Sequence, residues 1–228
     1  IMPPKSAIIL AAGRGQRLSP ITDTIPKPLL HIGQTTLIDH HLTALNAAGI
    51  DQITINVAHL GAKIIDHVSQ YAPSGLDIYF SEESNGALET GGGILQALDH
   101  VGSDPFVVVN ADIRTDFAFD RLPNKMDSDA HLILVKNPVH HPKGDFRLDA
   151  GKVKLPSEYP EENLTFSGIG VYRKKLFNSC SPGRFPLAPI LKKKSRDGLV
   201  SGSLFKGRWI DVGTAERLDA ARKSENND

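Results

Sequence analysis

The sequence predicts an α/β fold in which a parallel or mostly parallel sheet carries helices on both faces. Short apolar runs alternate with segments whose apolar residues repeat at helical spacing. The first run, Ala7–Ala12, reads as a buried strand and breaks at once into a glycine-containing loop, Gly13-Arg14-Gly15-Gln16-Arg17. This βαβα order is the signature of a layered α/β domain.

Each element follows in order. Ile8-Ile9-Leu10 is the first strand. Leu37, Leu42, Leu45 and Ala48 share one face of a helix that Gly49 stops. Ile53–Val57 is β-branched and strand-like, and Ala62–Tyr71 reads as a helix with Ile64, Ile65 and Val68 on one face. Leu76–Phe80 is a strand, Ile94–Leu98 lies in a helix, and Phe106–Val109 is a strand again. The second half is less regular. Leu132–Val135, Phe146–Leu148, Thr165–Tyr172 and Trp209–Val212 read as strands with fewer helices between them. Thr214 is placed to cap a last helix carrying Leu218 and Ala221, and Ser224–Asp228 reads as a frayed tail.

The 228 residues suit one domain over the whole chain, 1–228. A nucleotide-binding half is expected at about residues 5–115 and a second half, completing the site, at about 116–222. Lys+Arg 26 balance Asp+Glu 26, so no net field favours nucleic acid or an anionic membrane. The single Cys180 excludes an internal disulfide. No apolar run reaches the length of a membrane span, and Ala7–Ala12 is too short for the core of a signal peptide. Ile1 ahead of Met2 reads as a remnant before the natural start. A soluble cytoplasmic protein is expected.

The stretch Leu10–Leu30, LAAGRGQRLSPITDTIPKPLL, is the most informative segment. In open α/β sheets, ligands bind beyond the carboxyl ends of the strands, which is where this loop falls. Gly13 and Gly15 clear side chains from the backbone, so their N–H groups can face phosphate oxygens. Arg17 can fork onto two oxygens, whereas Lys27 is a point charge whose backbone Pro26 and Pro28 restrict. Leu18 stands where a dinucleotide fingerprint needs glycine, and no Gly-Lys-Ser/Thr follows as a Walker loop requires. Alone, such a glycine turn is most often only a turn.

Two later strands end in aspartate: Phe106-Val-Val-Val-Asn110-Ala111-Asp112 and Trp209-Ile210-Asp211. Mg²⁺ takes hard oxygens, commonly one or two carboxylates with water and substrate phosphates. A lone aspartate after a strand is more often a turn or cap; Asp112 and Asp211 gain weight only beside the phosphate loop. Leu88-Glu89-Thr90-Gly91-Gly92-Gly93-Ile94 puts glycines at a helix start, where free N–H groups can read a base, or simply forms a flexible entry to the helix. His140-His141 suggests metal, but neighbours on an extended chain face opposite ways and no HExxH or Cys partner exists, so surface or hydrogen-bonding roles are expected.

Leu10-Ala11-Ala12-Gly13-x-Gly15-x-Arg17, Pro20-x-Thr22, Pro26-Lys27-Pro28, Asn110-Ala-Asp112 and Trp209-Ile-Asp211-Val-Gly resemble the signature of the sugar-1-phosphate nucleotidylyltransferases. The resemblance runs from about Lys5 to Arg222. It implies a Rossmann-like three-layer nucleotidyltransferase fold with a mixed, mostly parallel central sheet. It implies transfer of a nucleotidyl group from an NTP to a sugar 1-phosphate, with release of pyrophosphate. Arg17 and Lys27 then act on the phosphates, and Leu10, Ala11, Ala12, Gly13, Gly15, Gln16, Thr90 and Gly91 join them around the nucleotide. Asn110, Gly144, Asp145, Glu162, Ser167 and Gly168 fall where the family builds its sugar pocket, although Glu161-Glu162 also suits an exposed acidic pair. Asp112 and Asp211 match the family's Mg²⁺ ligands.

Leu88–Ile94, His140–Leu148 and Leu164–Ile169 most resemble the branch that joins UTP to N-acetylmuramate 1-phosphate in peptidoglycan recycling. Mannose 1-phosphate with GTP, phosphocholine with CTP, and a non-catalytic sugar-nucleotide-binding regulator are the competing readings. Ser19 and Ile21 depart mildly from the family's commoner Arg-Pro-Leu-Thr. The chain carries no hexapeptide repeats, so no C-terminal β-helix and no oligomer built on one are expected; a monomer or small homo-oligomer is. The anionic acceptor needs no general base, so catalysis reduces to positioning and charge neutralisation. The Gly13–Pro26 connection is long for a βα loop and suits a lid.

Overall fold

A computed structural model describes residues 4–84 and 86–225. Strand β1 (Ser6–Leu10) opens the sheet. Short elements follow: helix α1 (Ile21–Thr24) and the hairpin β2 (His31–Ile32) and β3 (Thr35–Thr36). Helix α2 (Leu37–Ala47) is capped by Thr36, whose Oγ1 accepts from the Asp39 N–H. Then come β4 (Gln52–Val57), α3 (Gly61–Tyr71), β5 (Asp77–Glu82), α4 (Glu89–Ala97), β6 (Phe106–Asn110) and β7 (Ile113–Thr115). The second half supplies β8 (Ala130–Val135), β9 (Phe146–Asp149), β10 (Lys152–Lys154), β11 (Asn163–Tyr172), α5 (Ala188–Arg196), β12 (Val200–Leu204), β13 (Trp209–Asp211) and α6 (Ala215–Glu225).

Nine strands form one mixed sheet in the order β5-β4-β1-β6-β11-β8-β12-β10-β9. From β5 to β6 every pairing is parallel. Beyond β6 the pairings are antiparallel except β8 with β12. The parallel half comes from the βαβ crossovers of the first half; where helices become scarce, the chain returns by direct antiparallel pairing.

Alternation along the strands builds the layers. Ala7, Ile9, Val107 and Val109 face one core with Ile38 and Leu42 of α2 and Ile64 and Val68 of α3. Ile8, Phe106 and Val108 face a second core with Ile94 and Ala97 of α4 and Leu191 of α5. A third, smaller core gathers Leu18, Leu30, Ile32, Leu37, Val212, Leu218 and Ala221. It fastens the loop after β1 to the segment after β13 and to α6.

The long Gly13–Pro26 connection holds a 3₁₀ turn at Gln16–Leu18 and helix α1, and Leu18 and Thr22 are buried. One expectation changes. Ser224 and Glu225 are not frayed but lie in α6, where Glu225 pairs with Arg114 at 2.7 Å. Residues 226–228, and Ile1 and Met2, lie outside the described residues.

Candidate functional site

The carboxyl ends of β1, β4 and β6 open onto a pocket of about 200 Å³ lined by Leu10, Ala11, Ala12, Gly13, Gly15, Lys27, Thr90, Asn110 and Asp112, among others. Its back wall is a buried polar chain. The Ala11 N–H donates to Asn56 Oδ1 at 2.7 Å, and Asn56 Nδ2 donates to Glu83 Oε1 at 2.7 Å. Glu83 Oε2 accepts from the Leu88 N–H at 2.6 Å. Burial pushes the Glu83 carboxyl above its ordinary range, against the pull of these two donors. The chain fixes the loop after β1 against β4, β5 and the entry to α4. No local pattern in the sequence announces it, because Asn56 and Glu83 meet only through the β4–β5 pairing.

Gly15 takes the left-handed conformation, φ 68°, and its carbonyl accepts from the Leu18 N–H and the Thr22 hydroxyl. Gly13 has open space where a side chain would stand, so the loop presents bare backbone to the pocket. Lys27 begins a 3₁₀ turn between Pro26 and Pro28 and is 8% exposed. Its Nζ donates to Asp112 Oδ2 at 2.5 Å.

Asp112 and Asp211 come together through the short β7–β13 ladder, in which Asp211 registers with Ile113. The Val212 N–H donates to the Asp112 carbonyl at 2.7 Å. Asp211 Oδ1 is buried with no hydrogen bond; His140 Nε2 lies 3.0 Å from it but out of line, and Arg217 lies 3.4 Å from Oδ2. Among the described residues no three His, Cys, Asp or Glu side chains converge as a metal cage. Two carboxylates, one with an unclaimed oxygen, fit Mg²⁺, which leaves its other positions to water and phosphate.

A second cleft, about 330 Å³, runs from these aspartates along Arg17, Asn110, His140, Ser167, Gly168 and Arg217. A Cβ at Gly213 would lie 1.9 Å from Arg217 Nη2 and 3.1 Å from Arg17 Nη2, so the two guanidinium groups converge over bare backbone. Arg217 Nε and Nη2 are buried without hydrogen bonds, and Arg17 has no partner among the described residues. Two cations held this closely form an anion site.

A third pocket, about 180 Å³, shares Asn110, Phe166 and Gly168 with that cleft. Gly168, φ 83°, has Asn110 Nδ2 2.7 Å from where its Cβ would stand, so only glycine admits Asn110 here. Asp145 lines this pocket with both oxygens engaged, by His141 Nε2 at 3.0 Å and by the Phe166 N–H at 2.9 Å. Trp209 Nε1 donates to the Ser167 carbonyl at 2.8 Å, tying β13 to the bulged middle of β11.

The structure therefore gathers most of the residues expected at the site and relocates some. Arg17 lines the cleft beside Asp211, not the pocket with Leu10–Gly15, because burial of Leu18 turns it outward. Gln16 is exposed and lines none of the three cavities. Gly91 offers no free N–H: those of Gly91 and Gly92 both donate to the Phe185 carbonyl. The three glycines lie inside α4 and admit close neighbours, the Phe185 ring at Gly91 and the Asn56–Glu83 pair at Gly93. Thr90 does line the pocket, and its Oγ1 accepts from the Leu187 N–H. Gly144 holds a turn behind Asp145 at φ 63° and lines neither the second nor the third cavity. Glu162 is exposed opposite Arg147 at 3.8 Å, away from them all. His140 and His141 sit in a turn, not an extended strand, so both rings reach the same cleft.

The profile of the nucleotidyl transferase family matches residues 6–227. The chain is 45% identical over 224 residues to the N-acetylmuramate alpha-1-phosphate uridylyltransferase of Neisseria meningitidis serogroup B, covering 95% of this chain and 96% of that protein. It is 32% identical to the protein of the same name from Caulobacter vibrioides, covering 96% of each. The solved structure of HddC from Yersinia pseudotuberculosis complexed with GMP-PN superposes with a TM-score of 0.81 at 23% identity, over 97% of this chain and 99% of that one, and shares the fold.

Proposed function

This chain belongs to the nucleotidyl transferase family, and on that premise we propose that it transfers a uridylyl group from UTP to N-acetylmuramate 1-phosphate, releasing pyrophosphate. The observation that carries the substrate assignment is the 45% identity, over nearly the full length of both chains, to a protein named for that reaction. The observation that carries the chemistry is the meeting of Lys27, Asp112, Asp211 and Arg17 where two cavities share Asn110. Such a product suits the reuse of peptidoglycan sugars in the cytoplasm.

The residues divide the work. Gly13 and Gly15 turn their backbone toward the triphosphate, and Asn56 with Glu83 holds that backbone in place. Lys27, fixed by its prolines, sets its ammonium against the charge that develops on the phosphoryl oxygens. Asp112 and Asp211 would hold Mg²⁺, which would supply neutralisation of phosphate charge between donor and acceptor. Arg17 neutralises phosphate at the aspartates' side of the cleft. The acceptor phosphate is anionic near neutral pH, with a second pKa of about 6, so no side chain need remove a proton from it. It attacks the α-phosphorus in line as pyrophosphate leaves.

Pyrophosphate release with UTP, GTP, CTP and ATP against N-acetylmuramate, N-acetylglucosamine and mannose 1-phosphates and phosphocholine tests the proposal. UTP with N-acetylmuramate 1-phosphate is expected to give the highest kcat/KM. A higher value for GTP with mannose 1-phosphate, or for CTP with phosphocholine, would replace it. Nucleotide binding without turnover of any pair would favour a regulator.

A further inference from the structure

The charges of the two acceptor-side cavities differ in whether they are already spent. In the cleft beside the aspartates, Arg17 has no partner among the described residues, and Arg217 Nε and Nη2 make no hydrogen bond, although Nη2 lies 3.4 Å from Asp211 Oδ2. The adjoining pocket is walled mainly by apolar side chains such as Leu10, Phe146 and Leu191, and it carries two charged groups, Asp145 and Lys192. Asp145 has both oxygens occupied by His141 and the Phe166 N–H. Lys192, on the first turns of α5, has no hydrogen bond or ion pair among the described residues. Of the other lysines on that helix, Lys194 binds Asp129 at 2.8 Å, and Lys193, exposed like Lys192 and equally unpaired among the described residues, lines none of the three cavities. The two cavities are joined through Asn110, Phe166 and Gly168, so one acceptor can reach both.

An unspent ammonium beside apolar walls is poorly used by a sugar whose far side is neutral. It suits a sugar with a second negative group in addition to its phosphate. N-acetylmuramate differs from N-acetylglucosamine by such a group, the carboxylate of a lactyl ether. We infer that Lys192 is a specificity-determining residue that pairs with a carboxylate on the sugar, while Arg217 joins Arg17 in holding the sugar's 1-phosphate. This rests on the proposed reaction and names the residues that choose its acceptor.

The test compares two acceptors that differ in that carboxylate, N-acetylmuramate 1-phosphate and N-acetylglucosamine 1-phosphate, in the wild type, Lys192→Met and Arg217→Gln. A charge-assisted hydrogen bond is worth about one to two powers of ten in affinity. Lys192→Met is therefore expected to lower the ratio of kcat/KM between the two acceptors about 10- to 100-fold, with unchanged KM for UTP. Arg217→Gln is expected to raise KM for both acceptors alike and leave their ratio unchanged. Calorimetric binding of the two sugar phosphates gives the same ratio without turnover, so absence of transfer would refute the proposed reaction and still leave the Lys192 assignment readable. A ratio unmoved by Lys192→Met overturns that assignment. For Arg217, a KM effect on UTP instead of the acceptors overturns its assignment, and Arg217→Lys, which keeps a charge near Asp211, should restore part of acceptor binding.

Discussion

The ammonium of Lys27 lies 2.5 Å from Oδ2 of Asp112, so the cation of the proposed nucleotide pocket and a proposed metal carboxylate hold each other in place. Lys27→Ala therefore removes a positioned charge and also frees Asp112. It is expected to lower kcat about 100-fold or more, the range for losing one preorganised electrostatic group. Lys27→Arg should restore little, since a planar fork cannot occupy the place of a point charge between two prolines. Pyrophosphate release at saturating substrates reads both; near-normal release by Lys27→Ala would remove Lys27 from the reaction.

Asp211 meets Asp112 only because β13 ladders with β7 and the Val212 N–H reaches the Asp112 carbonyl. Asp211→Asn keeps the shape and removes the charge. The Mg²⁺ concentration for half-maximal activity is expected to rise about tenfold or more, within the range seen when a ligand environment is altered. A titration curve that superposes on the wild type would take Asp211 out of the metal site.

Much of this site is legible in the sequence because it is local. The loop from Leu10 to Leu30 carries its glycines, its cations and its prolines in one stretch, and two strands announce their terminal aspartates. What is illegible depends on distant partners. Glycines 91–93 read equally as an opening for a base and as room for a neighbour; the neighbour, Phe185, is far along the chain. Asn56 and Glu83 bond only after β4 and β5 pair, and Arg217 reaches Asp211 only once α6 docks in the third core. The sheet order beyond β6 was likewise hidden, since short apolar runs carry no sign of direction. For His140-His141 the hydrogen-bonding role holds, since His141 bonds Asp145, but the premise of opposite faces does not, because the pair lies in a turn.

Leu18 is the residue through which fold and site are joined. It occupies the position that a dinucleotide-binding loop gives to glycine, and here it is buried against Val212 and Leu218. Leu18→Ala should destabilise the protein by about 2–5 kcal/mol, the range for emptying a buried leucine site. It should also loosen Arg17 relative to Asp211. Urea unfolding with and without nucleotide, alongside KM for the acceptor, tests both. A stability loss with unchanged acceptor KM would confine Leu18 to packing.

Acid stability follows from three histidines. Burial lowers His40 to about 4, His41 to about 3 and His131 to about 4, each from an ordinary 6.5. The unfolded chain therefore takes up their protons first. Their contribution is complete above pH 6.5 and is lost as pH falls from there through their folded values. Asp129 acts lower still: burial works to raise its carboxyl, but Lys175 and Lys194 lower it on balance from an ordinary 3.8. Stability should thus decline already between pH 6.5 and 4.5, at up to about 1.4 kcal/mol per pH unit for each fully buried imidazole. His41→Leu is expected to flatten that decline; unfolding curves of equal slope for both proteins would show that His41 does not contribute.

Glu83 offers the most direct test of whether the wall behind the nucleotide pocket shapes binding. It receives Asn56 Nδ2 and the Leu88 N–H, and Asn56 in turn receives the Ala11 N–H. Glu83→Ala leaves two buried donors without acceptors, each costing about 1–3 kcal/mol unless the backbone moves. The parts able to move are the loop after β1 and the entry to α4, which are two sides of the proposed nucleotide pocket. If the proposed reaction holds, KM for UTP is expected to rise about tenfold or more, while KM for the sugar phosphate, proposed to bind beyond Asn110, changes little. Glu83→Gln retains one acceptor but sets an amide N–H against a donor, so it should fall between wild type and Glu83→Ala. Equal increases in both KM values would mean that the network supports the whole sheet edge and has no particular part in holding the nucleotide.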